Sequence, residues 1–287
     1  MIPQKIALLT DSCADLAPAL TAELPIYILP LRILCADGEF ADGETIRGAD
    51  VCQRLHNGEL PQTSLPSAER LMELLTQIRQ DGYDGVIAVM LSSGLSGTFN
   101  LVRLAAENEL GLTLRAFDSL SGSLGQGMTV LQLAEDIQKG MEWAELTERR
   151  APQLIAGSHP YFSVDTLKYL QKGGRIGTVT ATAGTLLQIK PILTFTSDGQ
   201  LTSAAKVRGR HQVVDKLVEL TVQACGGHKR YNLAVANSCA PDGMALVREK
   251  LTAALPNYDH IWEGEIDGTL CVYIGDGVLG AAVQILD

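Results

Sequence analysis

A short apolar segment, a polar loop and a helix recur three times in the first half of this chain, and that order admits few folds. Lys5 to Leu9 runs apolar into Thr10-Asp11-Ser12. Val86 to Leu91 runs into Ser92 to Thr98 and an alanine-rich helix. Leu112 to Phe117 ends at Asp118-Ser119 and leads to a helix over Gly127 to Gln138, with Met128, Leu131 and Ile137 on its apolar side. Between the first two units, Pro66 to Gln80 places Leu71, Leu74, Leu75 and Ile78 on one helical face, with Ser67 as N-cap. Strands alternating with helices make βαβ units and a mostly parallel sheet. Ligands of such sheets sit outside the carboxyl ends of the strands. The loops Thr10–Ser12, Ser92–Thr98 and Asp118–Ser121 therefore converge on one edge.

Other segments depart from that rhythm. An apolar run from Ile26 to Leu34 is broken by Pro30 and followed by a tight turn at Asp37-Gly38. In the second half, Pro191 to Phe195, the Asp198-Gly199 turn and Leu201 to Val207 spell a β-hairpin. A helix follows over Gln212 to Ala224, then a strand over Asn232 to Ala236 and a helix over Pro241 to Leu255. The chain closes on an apolar run from Thr269 to Ile274 and a glycine-rich tail. This half reads as an α+β domain. The boundary is expected near Ala151 to Tyr161, giving domains over residues 1–155 and 156–287.

Charge and motif content exclude several classes of function. Of 287 residues, 46% are hydrophobic and 20% charged, a globular balance. A net charge of −10 offers phosphates no general basic surface, which argues against a nucleic-acid partner. No apolar stretch approaches the roughly 20 residues of a membrane span, and the N-terminus has no secretory pattern, so a cytoplasmic location is expected. Cys13, Cys35, Cys52, Cys225, Cys239 and Cys271 are scattered, with no Cys-x-x-Cys, and read as small buried residues. The five histidines lack metal-ligand spacing, and no metal or cofactor is expected. Gly275-Asp276-Gly277-Val278-Leu279-Gly280 matches G-x-G-x-x-G literally, but too little chain follows for a dinucleotide-binding unit. These glycines are read as tight backbone turns.

Two hydroxyl clusters and a run of cations remain. Ser92-Ser93-Gly94-Leu95-Ser96-Gly97-Thr98 is either a turn capping a helix or a cup of hydroxyl and amide donors around an anion. It lacks the G-x-S-x-G elbow of a serine hydrolase. Thr63-Ser64-Leu65-Pro66-Ser67 reads as an N-cap with proline in the first turn. Lys172, Arg175, Lys190, Lys206, Arg208 and Arg210 form a local basic run, either an exposed face or an anion site.

Together these segments resemble the DegV family of bacterial fatty-acid-binding proteins, over essentially the whole chain. The resemblance is carried by Thr10 to Leu16, Thr63 to Ser67, Ser92 to Thr98, and Asp118-Ser119 with Gly122, Gly125 and Gly127. Leu170 to Ile176, Ile189 to Leu193, and Asp198-Gly199 through Gly209 complete it. It implies a two-domain α/β fold, with a mostly parallel N-terminal α/β domain and a C-terminal α+β domain. It also implies a long-chain fatty acid held between the domains, its carboxyl group presented to a separate fatty-acid kinase that forms an acyl phosphate. Carried over by motif, Thr63, Ser64, Gly94 and either Ser93 or Ser96 would surround the carboxyl. Arg175 and Arg208 would serve the head group or the kinase. Asp42 is a further polar family position.

One departure stands out. Where the family carries a histidine in a His-x-Gly-Pro-Gly-like run, this chain has Tyr273-Ile274-Gly275-Asp276-Gly277. Tyr273 can donate a hydrogen bond but stays neutral near pH 7, and Asp276 is expected to add negative charge near a bound anion. A second histidine position reads Asn237. Lipid binding is expected to survive and kinase coupling to weaken. The leading expectation is thus a lipid carrier without catalysis of its own. The competing expectations are an enzyme acting on a small phosphorylated or carboxylated metabolite in the same cleft, and a regulatory protein with a vestigial pocket.

Overall fold

The structure, a computed structural model, describes residues 3–106, 110–179 and 189–287. Strand β1 (Ile6–Asp11) is buried along its whole length, as a central parallel strand must be. Helix α1 (Pro18–Thr21) leads to β2 (Ile26–Leu29), which ends where Pro30 removes a ladder donor. The chain then leaves the sheet. β3 (Arg32–Cys35) and β4 (Gly38–Ala41) form a hairpin, α2 (Gly48–His56) follows, and β5 (Gln62–Ser64) returns antiparallel to β3 with Arg32 opposite Ser64. This three-stranded sheet was not expected. Its strands are only three or four residues long and too short for a period to show.

Helix α3 (Ala68–Gln80) buries Leu71, Leu75 and Ile78, and Ser67 Oγ accepts from Arg70 N at 3.1 Å as its N-cap. Pro66 stands outside the helix, just before the cap, not in its first turn. Then come β6 (Gly85–Met90), α4 (Thr98–Leu104) and β7 (Thr113–Asp118). The four strands lie in the order β2-β1-β6-β7, all parallel, so the loops after β1, β6 and β7 do share one edge.

Helix α5 (Leu124–Gln138) is buried on nearly every face, because it separates two sheets. It packs on β1 and β6 on one side. After α6 (Ala151–Ala156) the chain builds the second sheet, and α5 packs there too. That sheet begins with β8 (Ser158–Ser163), followed by α7 (Lys168–Lys172) and the expected hairpin, β9 (Ile189–Phe195) with β10 (Leu201–Arg208). Helix α8 (His211–Cys225), β11 (Tyr231–Asn237), α9 (Pro241–Ala254), β12 (Ile261–Glu265), α10 (Gly268–Ile274) and β13 (Leu279–Ile285) complete the fold.

The six strands lie in the order β10-β9-β8-β13-β11-β12, mixed in direction, with β11 and β12 parallel and the other pairs antiparallel. The glycine-rich tail thus ends in β13, fully buried within this sheet. Gly275 and Gly277, with φ of 71° and 73°, make the turn into it, a backbone that suits glycine. Polar side chains on α5 clasp both sheets. Gln126 Nε2 donates to Thr10 Oγ1 at 2.9 Å, and Gln132 Oε1 accepts from Asn232 Nδ2 at 2.8 Å. Among the described residues, no helix is long and apolar enough to cross a membrane.

Candidate ligand-binding site

The three loops at the sheet edge are tied together by hydrogen bonds, those of Asp11 fully buried. Asp11, at the end of β1, accepts from Leu91 N at 2.7 Å and from Cys13 N at 3.1 Å. Burial pushes its carboxyl up to about 6 against these bonds and one from Gln126. Asp118 Oδ1 accepts from the amides of Ser93 and Leu120, and Ser92 N donates to Ser121 O at 2.9 Å. The Ser92–Thr98 loop is also fastened to the second sheet, since Ser92 Oγ donates to Gly199 O at 2.7 Å in the β9–β10 turn. Gly94 lies so close to this turn that a Cβ on it would come within 2.5 Å of Gly199 O.

Beneath the loops lies a cavity of about 340 Å³ between the two large sheets, within the ordinary range for small-molecule sites. Its wall is mainly apolar, with Leu31, Leu91 and Leu124 from the N-terminal half facing Phe162, Phe195 and Ile266 from the other. Polar groups gather elsewhere on the lining. Thr63 Oγ1 and Tyr273 Oη are 2.5 Å apart, and the Arg175 guanidinium stands over the Tyr273 ring at 5.1 Å. Arg175 Nη1 donates to Gly173 O at 2.7 Å and Nε to Leu95 O at 3.2 Å. A Cβ on Gly173 would fall 2.3 Å from the Tyr273 ring, so the tyrosine's position requires a glycine there.

Five of the sequence-selected residues line this cavity: Thr63, Ser64, Ser96, Arg175 and Tyr273. Three do not. Ser93 is exposed on the outer side of its loop. Gly94 packs on the β9–β10 turn. Arg208 ends β10, exposed, with its backbone N donating to Gln212 Oε1 at 3.2 Å. The basic run is partly neutralised, since Lys190 and Arg210 both face Asp165, at 3.0 and 3.6 Å. Asn237 is used locally, its Oδ1 accepting from Ala240 N at 2.8 Å.

Sequence reasoning missed Arg32. It donates to Ser64 Oγ at 2.9 Å and to Leu65 O at 2.8 Å, and its third contact is Glu39 at 3.0 Å. Because Ser64 Oγ accepts from Arg32, its own proton is left to donate toward a ligand. No motif marks Arg32; only the pairing of β3 with β5 brings it there. Ser123 and Thr269 do line the cavity, unlike Arg32, and were missed because no motif marks them.

Two acidic positions differ from expectation. Asp42 is buried off the cavity, where it accepts from Gly268 N and Thr269 N at 2.9 and 3.1 Å and so anchors the start of α10. Asp276 pairs with His56 Nε2 at 3.0 Å and does not line the cavity, so its charge is partnered. Asp15 and Asp267 complete an acidic cluster beside Asp42. Burial pushes Asp15 up to about 7, against hydrogen bonds from Ser123 and Asp267. Burial and the charges of Asp42 and Asp15 hold Asp267 well above the usual carboxylate range.

The whole chain has relatives. A family model described as an uncharacterised protein, DegV family, matches residues 5–285. A DegV domain-containing protein of Clostridium acetobutylicum is 35% identical over 280 residues, covering 98% of this chain and 99% of the relative. A Clostridium perfringens relative of the same description is 34% identical over 282 residues, covering 98% of this chain and 99% of its own. Among solved structures, a Thermus thermophilus DegV family protein described as binding fatty acid superposes with a TM-score of 0.91 at 29% identity, over 99% of this chain and 100% of that one. Bacillus subtilis DegV, described as a fatty acid binding protein, gives 0.87 at 27% identity, over 98% and 99%.

Proposed function

This chain belongs to the DegV family, and from that premise we propose that its cavity holds one long-chain fatty acid. The observation that carries the reading is a mainly apolar cavity whose lining also bears Thr63, Ser64, Ser96, Arg175 and Tyr273. Burying each methylene is worth roughly 0.8 kcal/mol, so a tail of about fifteen gains on the order of 12 kcal/mol gross. Association entropy removes much of that. The buried carboxylate needs partners. Hydroxyls of Thr63, Ser64, Ser96 and Tyr273 line the cavity and can donate, with Arg175 supplying positive charge; Arg32 orients Ser64, its own charge being paired with Glu39. Ser96 is favoured over Ser93 because only Ser96 lines the cavity.

The finer reading is that the bound carboxyl is presented to a separate fatty-acid kinase for acyl-phosphate formation. Neutral donors leave a carboxylate oxygen free to attack phosphorus, where a tight arginine fork would occupy it. Tyr273, in place of an ionisable histidine, weakens this coupling. An enzyme for a small polar metabolite fits less well, because the leucine and phenylalanine wall would have nothing to cover.

The test is a calorimetric titration of delipidated protein with a long-chain fatty acid, its methyl ester and a short-chain acid. Tight stoichiometric binding of the free acid, with weaker binding of the ester and the short acid, supports the reading. Equal affinity for long and short acids overturns it.

A further inference from the structure

The floor of the cavity is paved with residues that have almost no side chain. Ala234 and Ala236 of β11 lie opposite Ala282 and Gly280 of β13, and all four line the cavity. Side chains alternate between the two faces of a strand, and the other face of these two strands is built differently. There Leu233, Val235, Leu279 and Val283 pack in one cluster with Val213 and Leu217 of α8 and Val247 of α9. Large residues serve the side of the helices, and small ones the side of the cavity. One pair further along, Asn232 lies opposite Gln284, both are bonded to α5, and the floor ends.

Gly280 is the residue of this floor that the fold itself does not require. Glycine in a strand interior weakens the strand and leaves nothing to pack. Its backbone does not call for one, since Gly280 sits in a regular buried strand and is not among the glycines of positive φ. Packing does not call for one either. A Cβ added there would meet nothing closer than 3.7 Å, with Ala236 Cβ, Ala236 O and Tyr161 O the nearest atoms. The other glycines of the lining differ. A Cβ on Gly97, Gly122 or Gly125 would come within 3.3, 2.9 and 2.3 Å of Leu65, Leu91 and Ser121, respectively. Gly280 therefore leaves open a space that a side chain could fill without a clash, and that space belongs to the cavity.

Resting on the fatty-acid reading of this cavity, we propose that Gly280 is its specificity-determining residue. The missing side chain lets the far part of an acyl tail cross β13 and lie on Ala234 and Ala282, so that the chain selects long fatty acids over medium ones. The order of groups along the cavity supports this. Ile266 N donates to Asn237 O at 2.8 Å, which places Ile266 at the carboxyl end of β11, and α10 carries Thr269 and then Tyr273 on from there. Running inward from the hydroxyls of Thr63 and Tyr273, a tail passes Ile266, then the Ala236–Gly280 pair, and reaches the Ala234–Ala282 pair last. A side chain at position 280 would stand across that path and shorten it, while the head-group end keeps its donors.

The test titrates delipidated full-length protein with laurate, palmitate and stearate, as wild type, Gly280→Ala and Gly280→Val, and melts each delipidated protein. Wild type is expected to bind stearate and palmitate more tightly than laurate. Each methylene kept out of the cavity costs about fourfold in affinity. Gly280→Val should therefore lower stearate affinity at least about tenfold more than laurate affinity. Gly280→Ala should give a smaller loss in the same order, and without ligand it should melt no lower than wild type, because alanine fits the strand and restricts the unfolded chain. Equal losses for all three acids, no loss in either variant, or an alanine variant that melts below wild type would each overturn the proposal while the carrier reading stands. A wild type that binds none of the three acids overturns the carrier reading itself, and the proposal with it. The alanine variant decides the matter even where the valine variant does not fold.

Discussion

Thr63 and Tyr273 share one short hydrogen bond, and whichever oxygen donates in it leaves the other's proton for a ligand. A carboxylate entering between them accepts from both. Thr63→Ala should therefore weaken fatty-acid affinity by about 10- to 100-fold, the scale of a hydrogen bond to a charged group. Ser96→Ala should do the same and Ser93→Ala should leave affinity unchanged, all read by titration of delipidated protein. Equal effects of the two serine variants would contradict the placement of Ser96 on the lining. Tyr273→His should raise phosphorylation of bound lipid by a fatty-acid kinase, and a variant no better than wild type counts against the weakened coupling. Most of these residues were legible in the sequence because their segments are short, ordered motifs. Arg32 was not, because its role comes from strand register and not from any spacing.

At the scale of elements, α10 decides most of the site. Its apolar run, Thr269 to Ile274, has no length from which to tell helix from strand. The structure makes it a helix because Asp267 caps Leu270 N at 2.8 Å and Asp42 takes two further amides. Anchoring this helix gathers buried carboxyls, and that has a pH signature. Asp11 and Asp15, raised to about 6 and about 7, bind protons in the folded state that the unfolded chain releases near pH 4. Their contribution to stability is full below pH 4 and is lost as pH rises through about 7. Asp15→Asn should flatten the fall in urea midpoint between pH 4.5 and 7.5 relative to wild type. An equally steep fall in the variant would mean that Asp15 is ionised throughout.

Across the whole molecule, α5 explains why two sheets of different kinds act as one scaffold. The parallel sheet was legible from three repeats of strand, loop and helix. The second sheet was less so: apart from one hairpin its strands join through helices, and β13 hides in a tail that reads as glycine-rich loop. No local pattern announces that α5 serves both sheets: its polar stripe of Gln126, Thr129, Gln132 and Asp136 reads as a solvent face, yet all four are buried. Cutting the chain at the expected boundary, between residues 155 and 156, leaves the second sheet without α5. The 156–287 fragment exposes Asn232 and Gln284, whose buried amides bond to α5 at 2.8 and 3.0 Å. It should show no cooperative urea transition by circular dichroism, and a sigmoidal transition would contradict that dependence.

The same scaffold encloses the cavity on which the functional reading rests. Native mass spectrometry of the purified chain, with any released ligand identified after denaturation, tests that reading most directly. The account predicts one long-chain fatty acid per chain, lost from a variant in which Leu124→Trp fills the cavity. Protein that is empty as purified and takes up no added fatty acid would contradict it.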